Sequence, residues 1–206
     1  MSAGRGRFDV LLFDLGGVVI ELDGLPIWME LTREPNESVV WERWLRSPAV
    51  RRFESGLASA AEFGDEIVTE FGLEIPAADF LARFAGWPRG PFPGVLELIG
   101  SLRGRFQVAC LSNCNELHWP RFLDEMGLAA AFDRHFSSHQ LGAMKPDRKI
   151  FELAVGELGV PAERVLFLDD NQLNVDGARA AGLHAELAKG PAGIRATLER
   201  LGVPSP

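Results

Sequence analysis

Three short apolar runs each end abruptly on polar residues, and this pattern constrains the fold of the chain more than any other feature. Val10-Leu11-Leu12-Phe13 runs into Asp14, residues 106–111 (FQVACL) run into Ser112-Asn113, and residues 165–168 (VLFL) run into Asp169-Asp170-Asn171. Runs of this length, apolar at every position with β-branched or aromatic content, suit strands covered on both faces, as in parallel sheets. Residues 132–137 (FDRHFS) and 183–187 (LHAEL) are weaker strand candidates. Helical periodicity occupies residues 95–102, 116–126, 149–158, 175–181 and 194–201. Strand alternating with helix across short Gly/Pro loops predicts an α/β fold built on a doubly wound parallel sheet.

The alternation breaks between residues 24 and 86. This stretch is helical in period, carries a capping-box signature at Ser59-Ala-Ala-Glu62, and gathers Trp28, Trp41, Trp44 and Phe53 in its first half. It is too long for a crossover and holds no strong strand. The expected organisation is therefore an α/β core from residues 1–23 and 87–206, interrupted by an α-helical cap of residues 24–86 that covers the sheet edge. Residues 86–91 (GWPRGP) read as the return linker. The cap tryptophans read as its core rather than as a substrate wall.

In a parallel α/β sheet the carboxyl ends of the strands share one edge, and ligands bind in the crevice outside it. Asp14, Ser112, Asn113, Asp169 and Asp170 should meet there, with Lys145 supplied by the loop of residues 142–147. Clustered carboxylates repel one another and need protons or a cation. A donor set of oxygens, without His or Cys, selects Mg²⁺, which commonly takes one or two carboxylates plus a substrate phosphate. Ser112, the backbone N–H groups after it and Lys145 would then hold phosphate oxygens, leaving Asp14 free to attack phosphorus. Gly16 and Gly17 would let the backbone approach metal and phosphate closely.

Composition excludes other classes. The 206 residues are 47% hydrophobic and 24% charged, enough for a real core, and the net charge of −8 argues against nucleic-acid or anionic-membrane surfaces. No stretch approaches the ~18 apolar residues of a membrane helix. The start, MSAGRGRFDVLLF, superficially imitates a secretion signal, but Asp9 and Asp14 interrupt its apolar run and no small-residue cleavage site follows. Two cysteines, Cys110 and Cys114, suit a reducing compartment, so a cytoplasmic location is expected. Neither these cysteines with His118 nor the pair His135 and His139 reads as a metal site; the latter two are expected in solvent.

Four segments in order, FDLGGV, LSN, MKPD and LFLDDN, resemble the motifs of the haloacid dehalogenase superfamily of Mg²⁺-dependent phosphohydrolases, and the likeness covers essentially the whole chain. The resemblance implies a Rossmann-like core with an inserted helical cap and hydrolysis of a small phosphorylated substrate. It makes Asp14 the nucleophile that becomes an aspartyl-phosphate, and gives Mg²⁺ the backbone carbonyl of Gly16 and the carboxylates of Asp14 and Asp170, with Asp169 ligating directly or through water. Ser112 and Asn113 would bind the phosphoryl group, Lys145 would neutralise it and pair with Asp14, and Asn174 would be a supporting amide at the substrate. Most such phosphatases carry a second Asp two residues after the nucleophile, a proton carrier worth about 10² to 10⁴ in rate. Here that position is Gly16. Three readings stand: a substrate with a good leaving group, such as a sugar 1-phosphate or acyl phosphate; another acid, Glu21 or Asp23; or a silent phosphate-binding protein. FDLGGVVIELD is similar to a sugar-phosphatase subgroup with an acid nine residues after the nucleophile, here Asp23. The superfamily's 2-haloacid dehalogenases need no metal and usually lack the acid pair, so Asp169-Asp170 counts against that activity.

Overall fold

A computed structural model describes residues 6–203 of the chain. Residues 1–5 and 204–206, which the sequence reading gives to the two ends of the core, lie outside the described residues. In chain order the elements are β1 (Val10–Phe13), β2 (Ile20–Leu22), α1 (Gly24–Thr32), α2 (Glu37–Arg46), α3 (Pro48–Glu54), α4 (Ala60–Phe71) and α5 (Ala77–Ala85). There follow β3 (Pro88–Pro91), α6 (Val95–Leu102), β4 (Gln107–Ser112), α7 (Leu128–Ala131), β5 (Arg134–Ser137), α8 (Ser138–Leu141) and α9 (Arg148–Leu158). The chain closes with β6 (Val165–Asp169), α10 (Gln172–Ala180), β7 (His184–Leu187) and α11 (Gly190–Arg200).

The main sheet is five-stranded and parallel, in the order β5-β4-β1-β6-β7. β1 is apolar at every position because successive side chains alternate between two covered faces. Leu11 and Phe13 pack with α6 and α11, through Leu98, Ile99, Ile194 and Leu198. Val10 and Leu12 pack with α9 and α10, through Phe151, Ala154, Val175 and Ala178. Truncating one such large core residue to Ala costs about 2–5 kcal/mol, so both faces anchor the strand ends that carry the polar residues. Register then sets their level. Phe13 lies opposite Cys110 on β4 and Leu168 on β6, so Asp14 emerges one step later, beside Asp169. The Asp14 N–H still donates to Leu168 O at 2.8 Å, which fixes its backbone.

The weak strand candidates are the outer strands β5 and β7, and β4 and β6 each run on to take in Ser112 and Asp169. Two expectations change. Residues 116–126 are not one helix: Asn115 Oδ1 caps the N–H groups of Leu117 and His118, Pro120 removes a backbone donor, and the chain widens into a π-helical turn at Arg121–Glu125. The return linker is also more ordered than a loop, because Pro88–Pro91 pairs antiparallel with β2. Proline is tolerated there because the ribbon has only two strands, both of them edges.

Helices α1–α5 follow one another without an intervening strand and build their own core from Trp28, Trp44, Phe53, Phe63, Phe80, Phe84 and Trp87. Phe53 and Phe63 stack at 4.2 Å, and Trp28 meets Trp44 edge-to-face at 5.1 Å. The helix ends are set by sequence: Asn36 and Ser47 accept N–H groups of α2 and α3, and Ser59 with Glu62 completes the expected capping box. Trp41, by contrast, is exposed. Among the described residues no helix is long and apolar enough to cross a membrane.

Candidate active site

The carboxyl edge of β1, β4 and β6 brings together Asp14, Ser112 and Asp169, all buried, with Asp170 exposed beside them. One oxygen from each of Asp14, Asp169 and Asp170 lies within 4.8 Å of the others. Lys145 is buried between two of these acids, its Nζ 2.6 Å from Asp14 Oδ1 and 2.7 Å from Asp169 Oδ2. The lysine reaches this position because its loop is stitched to the end of β4. Asn113 Oδ1 accepts the Lys145 N–H at 2.8 Å, and Asn113 Nδ2 donates to Lys145 O at 2.9 Å. The side chain of Asn113 is therefore committed to the loop, and what it offers a ligand is its backbone.

Asp169 is held from three sides. It accepts from Lys145 Nζ, from Asn171 N–H at 2.8 Å, and from Asn174 Nδ2 at 3.1 Å to each oxygen. Asn174, expected at the substrate, turns its amide onto this carboxylate instead. Asp170 has no such set of donors and faces the crevice, so it is the open acid of the pair.

Electrostatics follow from burial. Loss of water pushes the Asp14 carboxyl well up, Lys145 opposes this, and Asp169 and Asp170 add to it. Burial alone would depress the Lys145 ammonium, but the charges of Asp14 and Asp169 more than offset it, and its pKa is raised. One ammonium faces three carboxylates, so the cluster has unmet affinity for positive charge. The arrangement fits a divalent ion in its donor chemistry, all oxygen, in its spacing, and in its open face at Asp170.

The turn after β1 shapes the rest. Val18, Val19 and Ile20 direct their N–H groups to Leu15 O, and Gly17 N–H donates to Ile20 O at 2.9 Å. Gly17 has φ +73°, and a Cβ there would lie 2.1 Å from Asp170 Oδ2, so glycine is what lets the turn close on the acid. At Gly16 a Cβ would meet Leu22 Cδ1 at 2.9 Å. The space an acid would take at this position is thus occupied by the end of the exposed Leu22 side chain. Glu21 is exposed on β2, and Asp23, between β2 and α1, pairs with Arg89 on β3.

The remaining candidates are structural. Cys110 and Cys114 are buried free thiols, and burial pushes Cys110 up to about 12. His118 Nε2 is 2.8 Å from Phe84 O and Nδ1 is 3.3 Å from Asn115 Nδ2, so its ring joins the core to α5. His135, within β5, and His139, on α8, are partly buried rather than in solvent, because their rings turn back to Leu128 O and Ser137 Oγ. Sequence reasoning passed over Ser138 and Glu54. Ser138 Oγ accepts the Cys114 N–H at 2.9 Å and lies 2.5 Å from Glu54 O. Nothing in residue spacing links positions 54, 114 and 138; a carboxylate at the last turn of a capped helix was the sole local signal.

Residues 8–182 match the family model of the haloacid dehalogenase-like hydrolases. The chain is 25% identical over 181 residues to a D-ribitol-5-phosphate phosphatase of Bacteroides thetaiotaomicron, covering 84% of this chain and 87% of that protein. It superposes with TM-score 0.77 and 27% identity on a predicted HAD-like family hydrolase of Porphyromonas gingivalis, over 95% and 98% of the two chains. A HAD family enzyme of B. thetaiotaomicron, solved in complex with magnesium and inorganic phosphate, matches with TM-score 0.73 and 25% identity over 88% and 94% of the chains.

Proposed function

The chain belongs to the haloacid dehalogenase-like hydrolases, and from that premise we propose that it hydrolyses a phosphate monoester of a small metabolite through a phosphorylated Asp14. The observation that carries this reading is the group of three convergent carboxylates with Lys145 bridging Asp14 and Asp169. Asp14, Asp170 and the carbonyl of Gly16 would hold Mg²⁺, with Asp169 ligating directly or through water. When bound, the ion supplies charge to the phosphate oxygens and offsets the repulsion among the acids. Asp14 Oδ attacks phosphorus, and the ester oxygen leaves opposite it. Ser112 Oγ and the backbone N–H groups that follow orient the phosphoryl group, while Lys145 favours the ionised form of Asp14, as the charge of a bound Mg²⁺ also would, and neutralises the transferring charge. Asn174 and Asn171 keep Asp169 turned toward the lysine. Water then attacks the aspartyl-phosphate and releases inorganic phosphate.

The substrate class follows the relatives: a phosphatase named for D-ribitol 5-phosphate supports a sugar or polyol phosphate. The acidic surface and the unpaired, buried thiols support a cytoplasmic enzyme without nucleic-acid or membrane partners. Gly16 favours a second reading, a silent phosphate-binding protein. A screen with Mg²⁺ against sugar, polyol and acyl phosphates separates the two. Asp14→Asn should lower turnover by about 10⁴-fold or more, and turnover that survives this change overturns the assignment.

A further inference from the structure

Gly16 leaves the leaving oxygen without a proton donor from the β1 turn, and Asp23, the acid put forward by sequence, is engaged by Arg89 across the helix connections. An ionised, paired carboxylate is a poor acid. In-line displacement by Asp14 places the departing oxygen away from the sheet, toward the helical block. A donor must therefore come from the helices that face the strand ends.

The last turn of α3 is fixed at that position. Ser138 Oγ lies 2.5 Å from Glu54 O while accepting the Cys114 N–H, so the backbone of Glu54 is tied to the loop directly after Ser112-Asn113. Arg51 Nη2 pairs with Asp147 Oδ2 at 2.5 Å, joining the same turn to the Lys145 loop. Gly56, at φ +70°, sits so close to α8 that a Cβ would lie 2.2 Å from His139 O. Three contacts thus clamp residues 51–56 onto the loops that carry Ser112 and Lys145. Glu54 is partly buried, and among the described residues its carboxyl makes no hydrogen bond or ion pair.

We propose that Glu54 is the general acid and base of this enzyme, taking the role that Gly16 vacates. The inference rests on the phosphatase reading above. As Asp14 Oδ bonds to phosphorus, the bond to the ester oxygen breaks, and that oxygen takes the Glu54 proton to leave as an alcohol. In the second step the Glu54 carboxylate accepts a proton from water as its oxygen bonds to phosphorus. The bond to Asp14 then breaks with its electron pair returning to the carboxylate, and Glu54 is again protonated.

The electrostatic setting suits the task. Burial pushes the Glu54 carboxyl up to about 7, with Lys145 pulling the other way, so both protonation states are accessible near neutrality. Lys145 and Cys114, from the core loops to which the Glu54 backbone is tied, are the groups that interact electrostatically with its carboxyl; Lys145 is itself paired with Asp14, and Arg51 on the same helix with Asp147.

The test compares Glu54→Gln with wild type on two esters: ribitol 5-phosphate, whose alkoxide is a poor leaving group, and p-nitrophenyl phosphate, whose phenolate leaves readily. Glu54→Gln should lower kcat on the polyol ester about 10²-fold or more, and on the aryl ester at least tenfold less than that. The limb of the wild-type kcat profile that depends on the deprotonated or protonated Glu54 should vanish. Inhibition by inorganic phosphate should stay within about threefold of wild type, which reports an intact site. Equal losses on both esters, a kcat within threefold of wild type, or the leaving-group dependence appearing in Asp23→Asn instead would each overturn the proposal while leaving the phosphatase reading in place. A wild-type protein inert toward every phosphate ester overturns both.

Discussion

At the residue scale, the site is a problem of charge held in a fixed geometry. Asp169 is fully buried and ionic pairing with Lys145 alone would leave lone pairs unmet, so Asn174 and the Asn171 N–H supply the balance. Removing an outer partner of this kind typically costs 10- to 100-fold in metal affinity. Asn174→Ala should therefore weaken Mg²⁺ binding by about 10- to 100-fold, read by calorimetric titration, with secondary structure unchanged. An unaltered titration would show that Asn174 acts elsewhere, for instance at the substrate as sequence reasoning expected. The types of these residues were legible in the sequence, since acids, a hydroxyl and a lysine at strand ends have few structural uses together. Their pairings were not: the Asn113 amide could equally have faced a ligand until the Lys145 loop was seen to occupy it.

At the element scale, the turn between β1 and β2 carries the most constraint. Gly17 combines a left-handed backbone with close approach to Asp170, and either alone disfavours a side chain. Gly17→Ala should destabilise the fold by about 1–2 kcal/mol from the backbone alone. It should also displace Asp170, so Mg²⁺-dependent turnover should fall much more than stability does; urea denaturation and metal titration separate the two effects. Loss of stability with unchanged metal affinity would show that Asp170 tolerates the added methyl. Strands β1, β4 and β6 were readable because burial on both faces demands an unbroken apolar run. The β3 strand was not, since Pro88-Arg89-Gly90-Pro91 has no strand propensity and forms only because β2 offers it an edge. The irregular stretch at residues 116–126 shows the converse, a helical pattern defeated by Pro120.

At the scale of the whole molecule, the helical block is joined to the sheet by polar contacts made at specific atoms: Glu54 O with Ser138, Arg51 with Asp147, and Phe84 O with His118. The last of these makes the junction sensitive to acid. Burial holds the His118 imidazole down at about 4, against 6.5 for the free group. Between these values the unfolded chain binds a proton that the folded chain excludes, so stability is present above pH 6.5 and lost as pH falls toward 4. The loss from this group should reach roughly 3 kcal/mol. Urea midpoints of wild type and His118→Gln between pH 7 and 4 isolate it from the carboxylates, and parallel curves for the two proteins would refute it. Protonation also places a donor on Nδ1 opposite the Asn115 amide, so acid should loosen the α5 contact before the sheet unfolds.

The sequence by itself determined the sheet, its parallel sense, and the set of side chains presented at its carboxyl edge. Each of these follows from local rules: apolar runs covered on both faces, and strands that end where polar residues begin. Only the tertiary structure decided which partner each polar group takes, and which turn of the helical block is tied to the loops of the site. Those outcomes depend on contacts between segments far apart in the chain, 54 with 138, 113 with 145, 23 with 89. No local pattern encodes such contacts, because each is selected by how two separately stable layers pack against each other.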